Sequence, residues 1–332
     1  MKTKTVNMRR CPARLAAFVL AGLLVWTGGS SAQEQWPERA ITVIVPFAPG
    51  GGTDIIGRLV AVPLAKALGR PVIIENRPGA GGNIGTGIAA RAPADGYTLL
   101  MSSSAFFVNP ALYRSIPYDP ERDFVPISEL ASAPDMFVAH PKSNINSIAD
   151  LVARARANPG KHNYATAGAG TSPHLAGELL KLRENIDISH IPYNGAGPAI
   201  IAVLSGTPEI GAFFLPPVQP HVKAGKMRSL AVASAQRWYN MPAVPTMIEL
   251  GYAEFVSETV IIFAAPARTP AAVVQRLEQE TIRALQTAEV KQKAEELGYR
   301  ILGSGAAALG ARTKRNVGFY KKLVSDAKIE LQ

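Results

Sequence analysis

The sequence predicts an α/β fold with parallel strands, arranged as two lobes. Short β-branched runs such as residues 41–45 alternate with segments whose apolar residues recur at helical spacing, as in a parallel sheet covered by helices. Two glycine-rich loops, each opening a helix and lying over a hundred residues apart, suggest one lobe each. The 332 residues, 47% apolar and 18% charged, exclude a disordered chain and supply the core of two ordinary domains.

The first 32 residues predict a secretory signal peptide. A basic start without acids is followed by an apolar run at residues 15–26, and small residues stand before a predicted cleavage after Ala32. The run has 12 residues, fewer than the roughly 18 that span a bilayer. An uncleaved anchor and a twin-arginine signal at Arg9 and Arg10 are the alternatives.

Removal of this segment halves the net positive charge. The whole chain carries +10, but five basic and no acidic residues leave with the segment, so 30 Lys and Arg face 25 Asp and Glu, or +5. Because aromatic residues do not interleave with basic ones, nucleic-acid binding is excluded. The single cysteine, Cys11, is also removed, so the mature chain relies on core burial instead of disulfides.

Strands and helices alternate from residue 41 onward. The predicted strands are residues 41–45, 72–74, 97–101, 136–139, 230–233 and 259–264, and the predicted helices are residues 55–68, 84–91, 148–157, 174–182, 271–285, 289–297 and 317–327. Thr53 or Asp54 is the expected N-cap of the first helix, and Gly69 ends it. We find no internal repeat and no long linker, so two lobes require that the chain cross between them more than once.

Two loops predict binding of an anion. Residues 46–54 place three glycines between a buried strand and a helix N-terminus, where free N–H groups and the helix dipole attract negative charge. Residues 167–174 repeat the pattern, with Ser172 as the expected N-cap and Pro173 in the first helical position. The alternative is that these glycines serve tight turns alone. Neither loop is a Walker A loop, because no Gly-Lys-Ser/Thr follows the glycines.

No cofactor, metal or catalytic site is predicted. A third glycine cluster at residues 79–85 leads into a helix, and the G-x-G-x-x-A pattern at residues 85–90 lies inside that helix, which argues against a dinucleotide site. There is no G-x-S-x-G, H-E-x-x-H or C-x-x-C motif, and the five histidines are scattered. His174 either contacts a ligand or holds its loop by a hydrogen bond, and we favour the second role.

The sequence resembles the periplasmic solute-binding receptors of tripartite tricarboxylate transporters, the Bug receptors, from about Trp36 to Lys322. The matching motifs are Val45-Pro46-Phe47 with Gly50, Gly51 and Asp54; residues 75–85; residues 95–100; Asn109-Pro110 with Leu112-Tyr113; Pro117-Tyr118-Asp119-Pro120 with Asp123-Phe124; Tyr164, Gly168, Gly170 and Thr171; His174-Leu175-Ala176-Gly177-Glu178; and Pro192-Tyr193.

The resemblance implies a periplasmic protein with a two-lobed, type II periplasmic-binding-protein (Venus flytrap) fold and two crossover strands. We expect the crossings near residues 127–139 and 256–265. The expected domains are a signal peptide at residues 1–32, lobe 1 at residues 33–135 and 257–332, and lobe 2 at residues 136–256. The resemblance also implies a small carboxylate ligand gripped by main-chain N–H groups and water, and partner membrane subunits of the transporter.

The loops and the resemblance together imply a set of ligand-binding residues. They are Phe47, Ala48, Gly51, Thr53, Asp54, Asn83, Ser102, Ser103, Gly168, Gly170, Thr171, Ser172, His174 and Phe213. Many relatives carry an acid where this chain has Phe213-Phe214, and Val260 and Ile262 replace the usual tryptophan and glycine. An acid would suit an ammonium group, so we expect an amine-free carboxylate, either aromatic or a longer aliphatic diacid. The alternatives are a sensing subunit that binds a sensor kinase and, from another class, an exported hydrolase.

Overall fold

A computed structural model describes residues 1–5, 36–326 and 329–332. By backbone contacts the chain divides into two units, Met1–Trp36 and Pro37–Gln332. In the first unit, residues 1–5 are exposed and form no helix or strand. The rest of the predicted signal peptide and its cleavage after Ala32 lie outside the described residues. No helix in the described part of the chain combines the length and hydropathy of a membrane span.

The second unit alternates strands and helices. Its strands are β1 Ile41–Val45, β2 Val72–Asn76, β3 Thr98–Ser102, β4 Phe124–Ala139, β5 His162–Thr166, β6 Ile188–Pro192, β7 Ile210–Phe214, β8 Arg228–Val232, β9 Glu258–Pro266 and β10 Arg300–Gly305. Its helices are α1 Gly52–Leu68, α2 Asn83–Ala90, α3 Ala105–Leu112, α4 Ile148–Ala157, α5 Ser172–Glu184, α6 Ala196–Ser205, α7 Leu215–Lys223, α8 Ala271–Gln286, α9 Ala288–Leu297 and α10 Ala306–Asp326.

Two groups of parallel strands form two lobes. In the first lobe β1 pairs in parallel with β2 and β3, and in the second lobe β5 pairs in parallel with β6 and β7. The strand order is β2-β1-β3-β9-β4-β7-β5-β6, with β8 and β10 also paired to β4. The loops that follow β1 and β5 both open helices, so the two predicted anion loops lie at the carboxyl ends of parallel strands.

The long strand β4 joins the lobes. Residues 124–134 of β4 pair antiparallel with β9, whereas Asp135–Ala139 pair with β7 and the last four also pair with β8. The change of partner comes at Asp135, which is where we predicted the first lobe boundary. The fold is therefore the expected two-lobed one with two crossover strands, and the exact lobe boundaries remain a proposal that this pairing supports.

Each lobe has its own apolar core. In the second lobe, Phe137, Tyr164 and Phe255 are among the fully or nearly fully buried side chains of one cluster, and Phe106, Phe107 and Ile262 belong to the cluster of the first. The structure differs from the predictions where apolar contrast is weak. The predicted strand at residues 136–139 is only the end of β4, and the last helix begins at Ala306 instead of residue 317. The strands β5, β6, β7 and β10 and the helices α3, α6 and α7 were not among the predicted elements.

Candidate functional site

A small cavity lies between the N-termini of α1 and α5, where the lobes meet. Its volume is about 40 Å³, which gives room for about three water molecules. Among the described residues that line it, none has a charged side chain. The lining residues are Phe47, Gly51, Gly52, Thr53, Ser103, Ala167, Thr171, Ser172, Pro173, Ala196, Phe214 and Thr259.

Asp54 holds the first loop in place. Its carboxylate accepts hydrogen bonds from the N–H of Gly50 (3.0 Å), Nε of Arg58 (3.0 Å) and Nδ2 of Asn76 (3.1 Å). Asn76 Nδ2 also lies 3.0 Å from the carbonyl oxygen of Phe47. Burial raises the pKa of Asp54, but the hydrogen bonds and the Arg58 charge outweigh it, so the pKa is lowered. The Asp54 charge is therefore compensated within the loop.

Helix α1 begins with unpaired backbone donors. Gly51 is the N-cap in an extended conformation (φ −80°, ψ 165°), and no side chain caps the helix. The prediction of Thr53 or Asp54 as N-cap is wrong, because both already lie in the first helical turn. No acceptor within the described residues bonds the N–H of Gly52 or Thr53. These N–H groups are available to an anion.

The second loop ends one residue earlier than predicted. Thr171 is the N-cap, and α5 begins at Ser172. Thr171 Oγ1 donates to the carbonyl oxygen of Gly168 (2.8 Å), and Ser172 Oγ bonds Thr259 Oγ1 (2.6 Å), so neither hydroxyl caps the helix. The N-cap prediction for Ser172 is therefore wrong. The Ser172 N–H has no acceptor in the described part of the chain.

His174 holds the second loop from behind. Its Nδ1 accepts from the N–H of Gly170 (3.3 Å), and its ring stacks on His190 with centroids 4.2 Å apart. Burial lowers the pKa of His174 to about 4, so the ring is neutral and Nδ1 is free to accept. The loop-holding role that we favoured for His174 is confirmed.

The two lobes contact each other beside the cavity. The N–H of Ala48 donates to the carbonyl oxygen of Asn194 (2.9 Å), and Tyr113 Oη donates to that of Ala169 (3.1 Å). Gly81, at φ +59°, approaches Ala169 so closely that a Cβ would overlap its carbonyl group. The cleft between the lobes is thus in a closed arrangement in this structure.

Six of the fourteen predicted site residues line the cavity. They are Phe47, Gly51, Thr53, Ser103, Thr171 and Ser172. Seven others surround or support the loops without lining the cavity, and these are Ala48, Asp54, Asn83, Ser102, Gly168, Gly170 and His174. Asn83 Oδ1, for example, accepts from Asn109 Nδ2 at 2.7 Å, and both side chains are buried. The structure therefore brings the two predicted loops together around one space.

Phe214, not Phe213, forms the apolar wall of the cavity. Adjacent strand residues point to opposite faces, and Phe213 is fully buried on the other side of β7. The Phe214 ring packs against Gly52, where a Cβ would overlap it, and meets the Tyr299 ring edge at 5.6 Å between centroids. Val260 was predicted near the cleft but packs into the core of the first lobe. Its neighbour Thr259 lines the cavity instead.

Some lining residues carried a signal that the sequence analysis did not use. Ala196 lies between Gly195 and Gly197 at the start of α6, which repeats the glycine-rich pattern of the other loops. Thr259 follows from strand alternation once β9 is placed. Gly52, Ala167 and Pro173 belong to the predicted loops but were not singled out.

A buried acid lies directly beneath the cavity. Asp135 is 1% exposed, and its carboxylate accepts from Ser257 Oγ (2.6 Å) and from Thr259 Oγ1 (2.8 Å). Burial raises the pKa of Asp135 to about 7, although hydrogen bonds from Ser257, Thr259 and Ser172 oppose the rise. The sequence analysis missed Asp135 despite its place in a predicted crossover strand, where a carboxyl group is unusual.

Comparison with known proteins identifies the family. The profile of the tripartite tricarboxylate transporter family receptor matches residues 56–303. The chain belongs to this family. The receptor is 40% identical over 282 residues to protein BugT of Bordetella pertussis, which covers 83% of this chain and 86% of BugT.

Two solved structures resemble the receptor over nearly all of its second unit. Rpa4515 of R. palustris with adipate has a TM-score of 0.86 and 30% identity, covering 90% of this chain and 100% of that one. MatC (Rpa3494) of Rhodopseudomonas palustris with bound malate has a TM-score of 0.84 and 28% identity, covering 87% of this chain and 100% of that one.

Larger cavities of the receptor lie away from the glycine-rich loops. One of about 170 Å³ lies beside Phe106 and Leu309, and another of about 410 Å³ lies beside Trp238 and Arg300. The described residues contain no group of three or more His, Cys, Asp or Glu placed to hold a metal ion. The cavity between the loops is the one that combines two helix N-termini with both lobes.

Proposed function

We propose that the receptor captures a small amine-free carboxylate in the cavity between its lobes, outside the cytoplasm. The observation that carries this proposal is the set of unpaired N–H groups of Gly52, Thr53 and Ser172 at a cavity without charged lining side chains. A hydrogen bond to a charged group contributes about 1.5–3 kcal/mol, and a helix N-terminus adds about 0.3–1 kcal/mol. Three such bonds and two helix N-termini together contribute about 5–11 kcal/mol before the costs of binding.

The absence of an amine follows from the walls of the cavity. An ammonium group needs an acceptor or a carboxylate partner, and the wall formed by Phe214 supplies neither. The nearest acid, Asp135, is 1% exposed and already accepts from Ser257 and Thr259. Adipate and malate, the ligands of the two similar structures, are also dicarboxylates without an amine. The volume of about 40 Å³ favours a short carbon chain, and an aromatic or longer diacid requires wider separation of the lobes.

The closed arrangement supports a capture mechanism. Ala48 and Tyr113 of the first lobe already bond Asn194 and Ala169 of the second. A ligand that bonds both helix N-termini adds contacts that exist only when the lobes are closed, so it shifts the equilibrium towards closure. We propose that the closed form docks on the membrane subunits of a tripartite tricarboxylate-type transporter, and that the protein has no catalytic role.

A ligand screen tests this proposal. Purified receptor without residues 1–32 is heated with mono-, di- and tricarboxylates, aromatic acids and amino acids, because a ligand of the folded state raises the melting temperature. We expect stabilisation by one or more amine-free carboxylates and none by amino acids. Stabilisation by aspartate or glutamate above all other compounds would contradict the ligand class. Uptake of the ligand that survives deletion of the receptor would contradict transport and favour the sensing alternative.

A further inference from the structure

A chain of three hydrogen-bonding side chains connects the cavity to a buried carboxyl group. Ser172 Oγ lies 2.6 Å from Thr259 Oγ1, which lies 2.8 Å from an oxygen of Asp135. Ser172 and Thr259 line the cavity, whereas Asp135 lies beneath it. The second Asp135 oxygen accepts from Ser257 Oγ at 2.6 Å. The chain joins α5 of the second lobe to both crossover strands.

The direction of this chain depends on the charge of Asp135. Each hydroxyl has one proton to donate, and an ionised carboxylate only accepts. When Asp135 is ionised, Thr259 must donate to Asp135 and Ser172 must donate to Thr259. Ser172 Oγ then offers only lone pairs to the cavity. A bound carboxylate beside it meets an acceptor, which is unfavourable.

Protonation of Asp135 reverses the chain without moving a heavy atom. The Asp135 hydroxyl donates to Thr259, Thr259 donates to Ser172, and the Ser172 proton becomes available to the cavity. Ser257 continues to donate to the other Asp135 oxygen. We propose that the receptor takes up one proton from solvent onto Asp135 when it binds a carboxylate. The hydroxyl groups of Thr259 and Ser172 then reverse direction, so that Ser172 donates a hydrogen bond to the ligand. This inference rests on the proposed function, since it requires an anionic ligand in this cavity.

The surroundings of Asp135 favour proton uptake near neutral pH. Burial raises its pKa to about 7, and the negative charge of Glu258 on β9 adds to the rise. Tyr320 of α10 also faces it, with a pKa raised by burial to about 12, and is therefore neutral. Two further neighbours of Asp135 do not titrate, namely Phe214 of β7 and Ala233, which follows the last residue of β8. No lysine or arginine of the described residues is among the groups that act on Asp135.

A bound anion strengthens the effect because it disfavours a second negative charge nearby. The pKa of Asp135 therefore rises further on binding. The affinity for the carboxylate must then weaken as pH rises above the pKa that Asp135 has in the free receptor. One proton taken up per ligand corresponds to a loss of affinity of up to about tenfold per pH unit. Near pH 7 the two forms of Asp135 are both populated, so the coupling operates around neutral pH.

Calorimetry with adipate and malate as probes tests the coupling. Both probes are fully ionised between pH 7 and 8.5, so they release and take up no protons themselves. Titrations in phosphate and in Tris, which differ in ionisation enthalpy, give the number of protons taken up per ligand. We expect a value that approaches one above pH 7.5, together with falling affinity. Binding without proton uptake over this range would overturn the proposal but leave the proposed function intact. If neither probe binds, the carboxylate that stabilises the receptor most in the thermal screen takes their place, and the absence of any binding carboxylate would contradict both.

Two variants localise the proton. Asp135→Asn replaces the titrating carboxyl group with an amide. With Nδ2 towards Thr259 and Oδ1 towards Ser257, the amide donates to Thr259 and accepts from Ser257, so the chain points towards the cavity at every pH. We expect this variant to take up no proton and to bind about tenfold more tightly than the natural protein at pH 8. Thr259→Val breaks the chain while keeping the side-chain shape, so only the charge of the bound anion still acts on Asp135. We expect weaker binding with clearly less proton uptake than in the natural protein, even if Asp135→Asn does not fold. Proton uptake equal to that of the natural protein in Thr259→Val would overturn the proposal.

Discussion

The Phe214 ring packs against Gly52 at a point where any Cβ would overlap it. The contact joins the last residue of β7 in the second lobe to the first residue of α1 in the first lobe. Tyr299 supports it from the C-terminal part of the chain, because its Oη donates to the carbonyl oxygen of Gly52 (2.8 Å). The apolar wall and one set of N–H donors are therefore positioned by the same pair of residues.

Replacing Gly52 with alanine should hinder closure. The added methyl group overlaps the Phe214 ring, and overpacking of a tight contact typically costs about 1–3 kcal/mol. We expect ligand affinity to fall by about tenfold or more in calorimetry. Gly318→Ala is the matched control, since nothing lies within 4 Å of a Cβ there. A smaller loss of affinity from Gly52→Ala in the Phe214→Ala background than in the natural protein would support the overlap, and equal losses in Gly52→Ala and Gly318→Ala would contradict it.

Replacing Phe214 with alanine should enlarge the cavity. Phe214 is 7% exposed, so its truncation removes buried contacts as well as the wall. We expect weaker binding of short diacids and a relative gain for larger or aromatic ones in the thermal screen. Phe319→Ala provides the comparison, because Phe319 is 57% exposed. An unchanged ranking of ligands in Phe214→Ala would show that Phe214 does not set ligand size.

The contributions of the Ser172 hydroxyl and N–H can be separated. Ser172→Ala removes only the hydroxyl, whereas Ser172→Pro also removes the N–H. Proline suits the first helical position, and the preceding Thr171 is extended (φ −80°, ψ 155°) as a residue before proline prefers. We expect Ser172→Pro to bind about tenfold or more weaker than Ser172→Ala, because it lacks a charge-assisted hydrogen bond. Equal affinities of the two variants would show that the Ser172 N–H does not bind the ligand.

Two buried histidines should make the fold sensitive to mild acid. Burial lowers the pKa of His174 to about 4 and that of His190 to about 3, from 6.5. Below pH 6.5 the two histidines take up protons in the unfolded chain but stay neutral in the folded chain. The free energy of unfolding therefore falls as pH falls. Asp135 acts in the opposite direction, because its raised pKa makes the folded state bind one more proton between about pH 4 and 7. The net difference of one proton predicts that the free energy of unfolding falls by about 1.4 kcal/mol per pH unit below pH 6.5.

Urea denaturation between pH 5 and 6.5 checks this balance. His174→Asn/His190→Gln keeps hydrogen-bonding groups near the two ring nitrogens in use but does not titrate. We expect the free energy of unfolding of this double variant to fall as pH rises, because Asp135 alone titrates. In Asp135→Asn, we expect the free energy of unfolding to change with pH about twice as steeply as in the natural protein. If the free energy of unfolding of the double variant depends on pH as it does in the natural protein, these histidines are not the groups that titrate.

The strand β1, the loop after it and the helix α1 were predicted most accurately, because the local sequence signals agreed there. The β-branched run of Ile41–Val45 and the glycines before α1 each indicate the same strand, turn and helix. The extent of β4 was underestimated, since Pro126, Glu129 and Pro134 interrupt its apolar pattern. The charge of Glu129 is paired with Arg312, a distant partner that no local pattern shows.

The cavity could be predicted only as far as the two loops. The helix N-termini and their glycines carry a backbone signal, so both loops were located correctly. The choice between Phe213 and Phe214 depended on which face of β7 turns to the cleft, and that depends on pairing with β4. Asp135 acquires its partners Ser257 and Thr259 from a strand far along the chain, so its burial beneath the cavity emerges only from the fold.

The central claim is that the cleft holds a carboxylate without an amine. Malate and aspartate test it most directly, because aspartate carries an ammonium group in place of the malate hydroxyl and the two are otherwise alike. In calorimetric titrations of the receptor, we expect malate to bind at least about tenfold more tightly than aspartate, since no carboxylate among the described lining residues pairs with a buried ammonium. Aspartate binding as tight as malate binding, or tighter, would contradict it.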